Sequence, residues 1–373
     1  MEKVGLVTPH YANNYGAQLQ AFALLSTIKA LGYDVCIINR RPPDGIHNGN
    51  CIKKSIYGLY NDRHCHGYRL FEDKYLQPQT TPFYCNQDLR TLSEKEFRAV
   101  VVGSDQIWRD DYFHSSFEYT PYLDFITNTS ILKISYAASF GKADCIHPAE
   151  RKEIITRLLK KFNKISVREK SGVKILKDYY GVYGEWVADP TLLHDGKFYI
   201  DNLHLHTDSN KGKAVSYILG ANNAVYNIIN RVSTILGVEV DHVLKPRFLS
   251  KILRKRPFNY IPDFSKVPTV IEWLEKLCSS DFVITDSFHG MVFSILFKRN
   301  FVVFDQVAGG SERYLSLLNL LGLSDRLVPY NTSIDEIVSK LTVTIDYDEV
   351  YKRLLPFRNQ SLIFLKEALR GNG

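Results

Sequence analysis

The stretch KVGLVTPHYANNYGAQLQAFALLSTIKALGYDVCIINR, residues 3–40, decides the fold. KVGLVTPH (3–10) is a short apolar run of strand type, and YANNYGAQ (11–18) is a polar loop. In LQAFALLSTIKALGY (19–33) apolar residues recur at three and four, the spacing of an amphipathic helix. Gly32 stands where a helix C-terminal glycine belongs, and DVCIINR (34–40) reads as the next strand. Strand, helix and strand in that order form a right-handed βαβ unit of a parallel sheet, so the N-terminal domain reads as Rossmann-like.

Outward from there, residues 41–80 break the pattern with Pro, Gly, Asn, His and Tyr, which predicts an irregular or helical insertion. The order resumes in FRAVVVGSDQIW (97–108), ILKISYAASFG (131–141), a helix around 148–163, KISVREKSG (164–172) and EWVADPTLL (185–193). A second α/β series starts at 214 with AVSYILG. It continues through a helix near 222–236, VEVDHVL, a helix at 269–277, DFVITDSFHG, a helix at 290–297 and FVVFD. The polar stretch 194–213 lacks clear periodicity and marks the boundary. The expectation is α/β, with two Rossmann-like domains, 1–200 and 201–373, facing a cleft as in the glycosyltransferase B type.

A chain of 373 residues suits two domains, and 45% hydrophobic with 23% charged residues suits an ordinary buried core. No run reaches the roughly 18–20 apolar residues of a membrane span, and residues 1–30 carry no basic leader, so a cytoplasmic location is expected. The six cysteines are scattered and read as reduced thiols. Cys51, His64, Cys65 and His66 lack CxxC or HxxxH spacing, so no metal is expected. Part of the net charge of +7 lies in KPRFLSKILRKRPFNY (245–260). That segment reads as a solvated basic face or as a contact with an anionic membrane surface or pyrophosphate-linked lipid. No nucleic-acid motif accompanies it.

The chemistry concentrates where strands end. In DFVITDSFHG a buried strand delivers Thr285, Asp286, Ser287 and His289 to a helix N-terminus, where backbone amides and the helix dipole attract anions. His289 there is a proton donor or, equally, a capping residue. SVREKSG sets Arg168 and Glu169 at another strand end, where a guanidinium holds a carboxylate or phosphate or merely forms a surface ion pair. In GSDQIW, Gly103 permits close backbone approach, Ser104 and Asp105 offer polar groups, and Trp108 is either a platform for a sugar ring or a core residue. The NNYGAQLQ loop has no GxGxxG pattern and reads as a polar cleft lining.

Together these pieces resemble the polysaccharide pyruvyl transferases. The resemblance rests on NYGAQLQA (14–21), LGYDVCIIN (31–39), VVGSDQIW (101–108), YAASFG (136–141), SVREKSG (166–172), DPTLL (189–193) and TDSFHGMVFSILF (285–297), in the family's order. SERYLSLLNLLGLSDR (311–326) resembles the family's C-terminal segment, with Arg313 at the matching place. The resemblance implies transfer of pyruvate from phosphoenolpyruvate to a sugar as a ketal, in surface polysaccharide or glycan synthesis. The donor would lie on the C-terminal domain and the acceptor on the N-terminal one.

By the same resemblance, Arg168 would hold the donor and His289 would be the acid. Asp105, Asp286 and Glu169 are candidates for the base. Asn14, Gly16, Gly103, Ser104, Gln106, Ser139, Ser287 and Arg313 complete the expected substrate contacts. Phosphoenolpyruvate is the donor substrate, and neither a redox cofactor nor a metal is implied. The sugar acceptor is nucleotide-linked or lipid-linked, the latter bringing the enzyme to the inner face of the membrane. One departure stands out: relatives often carry RxH where this chain has Ser287-Phe288-His289, and Ser287, the helix N-terminus and Arg313 or Arg299 are the candidates to replace that cation. Two other readings remain, a nucleotide-sugar glycosyltransferase of the same fold and a glycan-binding protein without catalysis.

Overall fold

A computed structural model describes residues 2–41, 66–110, 117–143, 147–207, 212–220, 223–244, 267–305 and 311–371. The basic segment 245–260, most of the 41–80 insertion, and Cys51, His64 and Cys65 lie outside the described residues. The chain divides into two units. The first takes residues 1–54, 70–193 and 354–373, and the second takes 55–69 and 194–353.

The first unit is built on a parallel sheet. Its strands among the described residues are β1 (Lys3–Val7), β2 (Asp34–Ile37), β3 (Ala99–Val102), β4 (Leu132–Ala138), β5 (Lys164–Val167) and β6 (Glu185–Trp186), in the order β2-β1-β3-β4-β5-β6. β1 is an interior strand, with Val4 opposite Val35 on one side and Leu6 opposite Val101 on the other. The run AVVV of β3 is wholly buried, as a strand covered on both faces demands.

Helix α1 (Tyr15–Ala30) follows β1. Asn14 caps it by accepting from the Ala17 amide at 3.1 Å. At its far end Gly32, at φ 90°, turns the chain: its N–H meets Lys29 O at 2.9 Å, and Tyr33 N–H meets Ile28 O at 3.4 Å. That pair of bonds is a Schellman motif, and it feeds β2 directly. Helices α2 (Ala149–Leu159) and α3 (Lys170–Tyr180) complete the alternation, α3 ending on Gly181 in the left-handed region at φ 62°.

The second unit repeats the plan with α4 (Gly196–Leu203), β7 (Lys213–Tyr217), α5 (Asn223–Leu236), β8 (Glu239–His242), α6 (Val270–Ser279), β9 (Phe282–Thr285), α7 (Phe288–Leu296), β10 (Asn300–Phe304), α8 (Glu312–Leu321), β11 (Leu327–Val328) and α9 (Ile334–Thr342). The sheet is parallel, in the order β11-β10-β9-β7-β8.

The expected single boundary at residue 200 is corrected in two respects. The division falls after Leu193, because 194–203 is not a linker: Asp195 caps α4, accepting from Phe198 N–H at 2.8 Å. In addition, the C-terminal helix α10 (Tyr347–Arg370) belongs mostly to the first unit. There Ser361 Oγ accepts from Ala188 N–H at 2.9 Å, Arg358 Nε–H donates to Leu192 O at 2.6 Å, and Arg98 donates to Arg370 O at 2.7 Å. The helix is placed by these bonds rather than by its position in the chain.

Candidate active site

In a doubly wound sheet, ligands bind beyond the carboxyl ends of the strands, where the order of connection reverses. In the first unit that point lies between β1 and β3. Ser104 N–H donates to Gln20 Oε1 at 2.9 Å, and Gln20 Nε2–H donates to Thr8 Oγ1 at 2.7 Å, so a buried amide ties the two strand ends together. A Cβ on Gly103 would sit 1.9 Å from Tyr136 O, so only glycine passes. Asp105 holds a left-handed φ of 62°, fixed because its carbonyl accepts from Ile107 N–H (2.7 Å) and Ser139 N–H (3.0 Å). A non-glycine residue in that region costs roughly 1–3 kcal/mol and persists where surrounding bonds enforce it. A register shift in β4 between Ser135 and Ala138, with Ala137 at φ 50°, curls Ser139 toward the same edge.

Arg168 and Glu169 leave β5 at this edge, and both are buried. Arg168 sends NH1 to Asp189 Oδ2 at 2.9 Å and NH2 to Asp105 Oδ1 at 3.4 Å, and its side chain is 1% exposed. Burial works against the charged guanidinium, but Asp189, Asp105 and Glu169 outweigh it and raise the pKa. Asp189 is also held by Thr191, whose N–H (3.0 Å) and hydroxyl (2.6 Å) both donate to Oδ1. Glu169 Oε1 accepts from Phe140 N–H at 2.9 Å, fixing the loop that carries Ser139, whose Oγ accepts from Gly141 N–H at 3.0 Å. Gln106 Oε1 takes a bond from Arg109 at 2.8 Å, in space that a Cβ on Gly141 would block at 2.3 Å. Asn14 is exposed at the head of α1, and Gly16 is buried in its first turn.

Trp108 is no sugar platform. It is fully buried, stacked on Tyr122 at 5.5 Å and 12°, and its Nε1–H donates to Pro121 O at 2.9 Å. Sequence pattern also passed over His10, at the end of β1. Nδ1 lies 3.1 Å from Thr8 O and Nε2 lies 3.1 Å from Asn39 Oδ1. Burial chiefly, with the charges of Arg41 and Arg40, pushes its pKa down to about 4 against hydrogen bonds that act the other way.

In the second unit the reversal lies between β7 and β9. Asp286 is fully buried there, and its carboxylate accepts from Leu219 N–H (2.6 Å), Gly220 N–H (2.8 Å) and the Tyr330 hydroxyl (2.9 Å). Burial first, then the adjacent Asp286 charge and hydrogen bond, raise the Tyr330 pKa and keep it a donor. Ser287 caps α7, accepting from Gly290 N–H at 3.3 Å, and no acidic residue occupies the first turn of that helix. Thr285 Oγ1 accepts from Ser287 N–H at 3.0 Å, and a Cβ on Gly290 would meet that same oxygen at 2.4 Å. His289, 6% exposed, stands in this first turn, edge-on to Phe288 with ring centroids 5.3 Å apart.

Arg313 joins the group through Tyr314. Its guanidinium lies 5.0 Å from the Tyr314 ring, NH2 reaches Tyr314 Oη at 3.2 Å, and that hydroxyl donates to Asp286 O at 2.7 Å. Arg299 does not join. It follows the C-terminal end of α7, precedes β10 and donates to Ser280 O at 3.2 Å, at the opposite edge of the sheet. The structure thus gathers Gly103, Ser104, Asp105, Gln106, Ser139, Arg168 and Glu169 in one unit, and Asp286, Ser287, His289 and Arg313 in the other. Tyr330, which anchors Asp286, had no motif to announce it.

Two parallel α/β sheets with polar groups at both reversal points define a protein of the glycosyltransferase B type. A UDP-N-acetylglucosamine 2-epimerase from Neisseria meningitidis, solved with UDP-GlcNAc, matches with a TM-score of 0.53 at 11% identity over 100% of each chain. A glycosyltransferase from Rickettsia africae matches with a TM-score of 0.53 at 10% identity, over 100% of this chain and 99% of that one. The Staphylococcus aureus protein MnaA, solved with UDP, gives 0.50 at 10% identity over 95% and 91%. At these identities the likeness concerns the fold alone. No curated protein matches the chain in sequence. The family model for polysaccharide pyruvyl transferase matches residues 14–306, well over half the chain, and the chain belongs to that family.

Proposed function

We propose that the protein transfers pyruvate from phosphoenolpyruvate to a pair of hydroxyls on a sugar, closing a cyclic ketal and releasing phosphate. The observation that carries this reading is His289 in the first turn of α7, beside the capped helix N-terminus at the second reversal point, in a chain of the pyruvyl transferase family.

In this reading His289, as imidazolium, gives its proton to the methylene carbon of the donor, which becomes a methyl group. The neighbouring carbon takes up the electron deficit and is attacked by one sugar hydroxyl, whose proton passes to a base. Phosphate then departs with the electrons of its C–O bond. The second hydroxyl attacks the same carbon and loses its proton, so the sum is donor plus diol giving ketal plus phosphate. Backbone amides of α7 and the Arg313 guanidinium would stabilise the donor's negative charge and the departing phosphate. They stand where the RxH arginine is absent.

In the first unit, the proposed acceptor side, Asp105 is the half-buried carboxylate and the candidate base, and Glu169 is committed to the Phe140 amide. We read Arg168 first as a positioning residue: two carboxylates occupy its guanidinium, and the group that it presents at the edge is Asp105.

The test is phosphate release from phosphoenolpyruvate with a panel of free, nucleotide-linked and lipid-linked hexoses, with product mass. A mass gain of one pyruvic acid less one water supports the reading, and His289→Gln should then lower kcat by about a hundredfold or more. The fold of the sugar-nucleotide proteins above motivates one other reading, glycosyl transfer from a nucleotide sugar. Consumption of a nucleotide sugar without phosphate release from phosphoenolpyruvate would favour it.

A further inference from the structure

The carboxyl end of β2 carries two adjacent arginines in different electrostatic situations. Arg41 is matched: Nε–H donates to Asn39 Oδ1 at 2.8 Å, and its terminal nitrogen pairs with Glu72. Arg40 is not matched. It is 4% exposed, its Nε meets no acceptor, and among the described residues no carboxylate lies within ion-pair distance of it. Its guanidinium lies 5.8 Å from the Phe117 ring, and burial lowers its pKa against the pull of Tyr11 and Asp124. Its backbone is pinned, since Arg40 N–H meets Ile38 O at 2.9 Å and Arg41 N–H meets Phe83 O at 2.7 Å. A buried cation left without a partner carries a large desolvation penalty, which a bound anion would offset.

A second unmatched group sits in the first turn of α1. Gln18 is 1% exposed, its Nε2–H donates to His10 O at 3.4 Å, and its Oε1 has no donor. His10 connects the two groups, because its ring meets Asn39 at 3.1 Å and feels the charge of Arg40. The head of α1 carries no acidic residue in its first turn. A buried guanidinium in search of an acceptor stands beyond β2, and a buried amide oxygen in search of a donor stands in the first turn of α1, the helix that follows β1 at the reversal point. A ligand with anionic oxygens and hydroxyl groups satisfies both.

We propose that Arg40 and Gln18, braced by His10, form an anion subsite that binds the phosphate of a glycosyl phosphate or diphosphate. This rests on the pyruvyl-transfer reading only in naming that ligand as the acceptor. The diphosphate belongs to a nucleotide sugar or to a lipid-linked sugar. Arg40 supplies a two-pronged contact that lysine cannot reproduce.

The test is calorimetric titration of the full chain with inorganic pyrophosphate, then with a uridine diphosphate hexose and a short-chain prenyl diphosphate hexose. Arg40→Met, which keeps the packing on Phe117 and removes the charge, should weaken pyrophosphate binding about tenfold or more, with Arg40→Lys between it and the wild type. Its melting temperature should stay level or rise, because an uncompensated buried charge has gone. Equal pyrophosphate affinity in wild type and Arg40→Met, no binding to the wild type, or a fall in melting temperature with unchanged affinity would each overturn the subsite. Stronger binding of the uridine or of the prenyl compound identifies the source of the diphosphate, provided it depends on Arg40. If pyrophosphate binding depends on Arg40 while no acceptor gains pyruvate, the transfer reading falls and the subsite stands.

Discussion

Arg168→Met removes one partner of a buried ion pair and leaves Asp189, whose side chain is fully buried, facing its lost cation. Breaking such a pair typically costs 3–5 kcal/mol. Asp189 keeps the two Thr191 donors and a Ser104 hydroxyl at 3.4 Å, which places the expected cost near the lower end, about 3 kcal/mol. Adding Asp189→Asn removes the stranded charge, so the double variant should be at least about 1 kcal/mol more stable than the sum of the single changes predicts. The assay is urea unfolding in a Trp273→Phe background. The remaining tryptophans, Trp108 and Trp186, both lie in the first unit, and Trp186 Nε1–H donates to Arg168 O at 3.0 Å. With a slope of about 2–3 kcal/mol per molar urea, the midpoint should fall by roughly 1 M. A midpoint within about 0.2 M of the parent, together with a raised KM for phosphoenolpyruvate, would refute the reasoning. It would return Arg168 to direct contact with the donor.

Gly103→Ala should abolish folding of the first unit or cost more than about 4 kcal/mol, because its Cβ lands 1.9 Å from a backbone oxygen. Gly181→Ala, also at positive φ but with nothing within 4 Å, should cost only about 1 kcal/mol in the same denaturation assay. Tyr330→Phe should cost about 1 kcal/mol, since Asp286 keeps two amide donors, whereas Asp286→Asn turns an N–H donor toward an N–H and should cost roughly 2–3 kcal/mol. The His10 pKa falls from 6.5 unfolded to about 4 folded, so the unfolded state binds the extra proton between those values. Its contribution is complete above pH 6.5 and drains away toward pH 4, by about 3 kcal/mol in all, and thermal melts of His10→Gln should lack that loss.

Strands β1, β2, β3, β7, β9 and β10 and helices α1, α5, α6 and α7 were legible because each shows an apolar run or helical period bounded by glycine or a cap. The register of the sheets and the reversal points follow from pairing, which periodicity does not encode. The 194–203 segment concealed α4 because its helix is only eight residues long, with an Asp195 cap that resembles loop chemistry. Trp108 stood in a polar motif, and only the packing of Tyr122 and Phe140 assigns it to the core. Asp286, Ser287, His289 and Asp105 were readable as residues at strand ends. What each touches was not: Tyr330 lies 44 residues from Asp286 in sequence and Gln20 lies 84 from Ser104. Arg40 escaped notice for a related reason, since a lone arginine after a strand signals nothing until its neighbours are seen to lack a carboxylate.

The two reversal points solve one mechanical problem with different charges, and the difference bears on which unit takes which substrate. In the first unit the strand ends are bridged by the neutral amide of Gln20, and in the second by the carboxylate of Asp286. A carboxylate beside an anionic donor would repel it if its charge were unspent. Here three donors converge on that charge, two of them backbone amides, while the first-turn amides of α7 stay outside this set and Arg313 is tied to Asp286 O through Tyr314. A site of this kind needs less added cation than one with an open carboxylate. On the proposed reading, a serine at 287 in place of the arginine of the family resemblance is tolerable only while Tyr330 and the Leu219–Gly220 amides hold Asp286. Tyr330→Phe should accordingly raise the KM for phosphoenolpyruvate more than it lowers kcat, and restoring Ser287→Arg should offset that rise; a fall in kcat alone would place Asp286 in the chemistry instead.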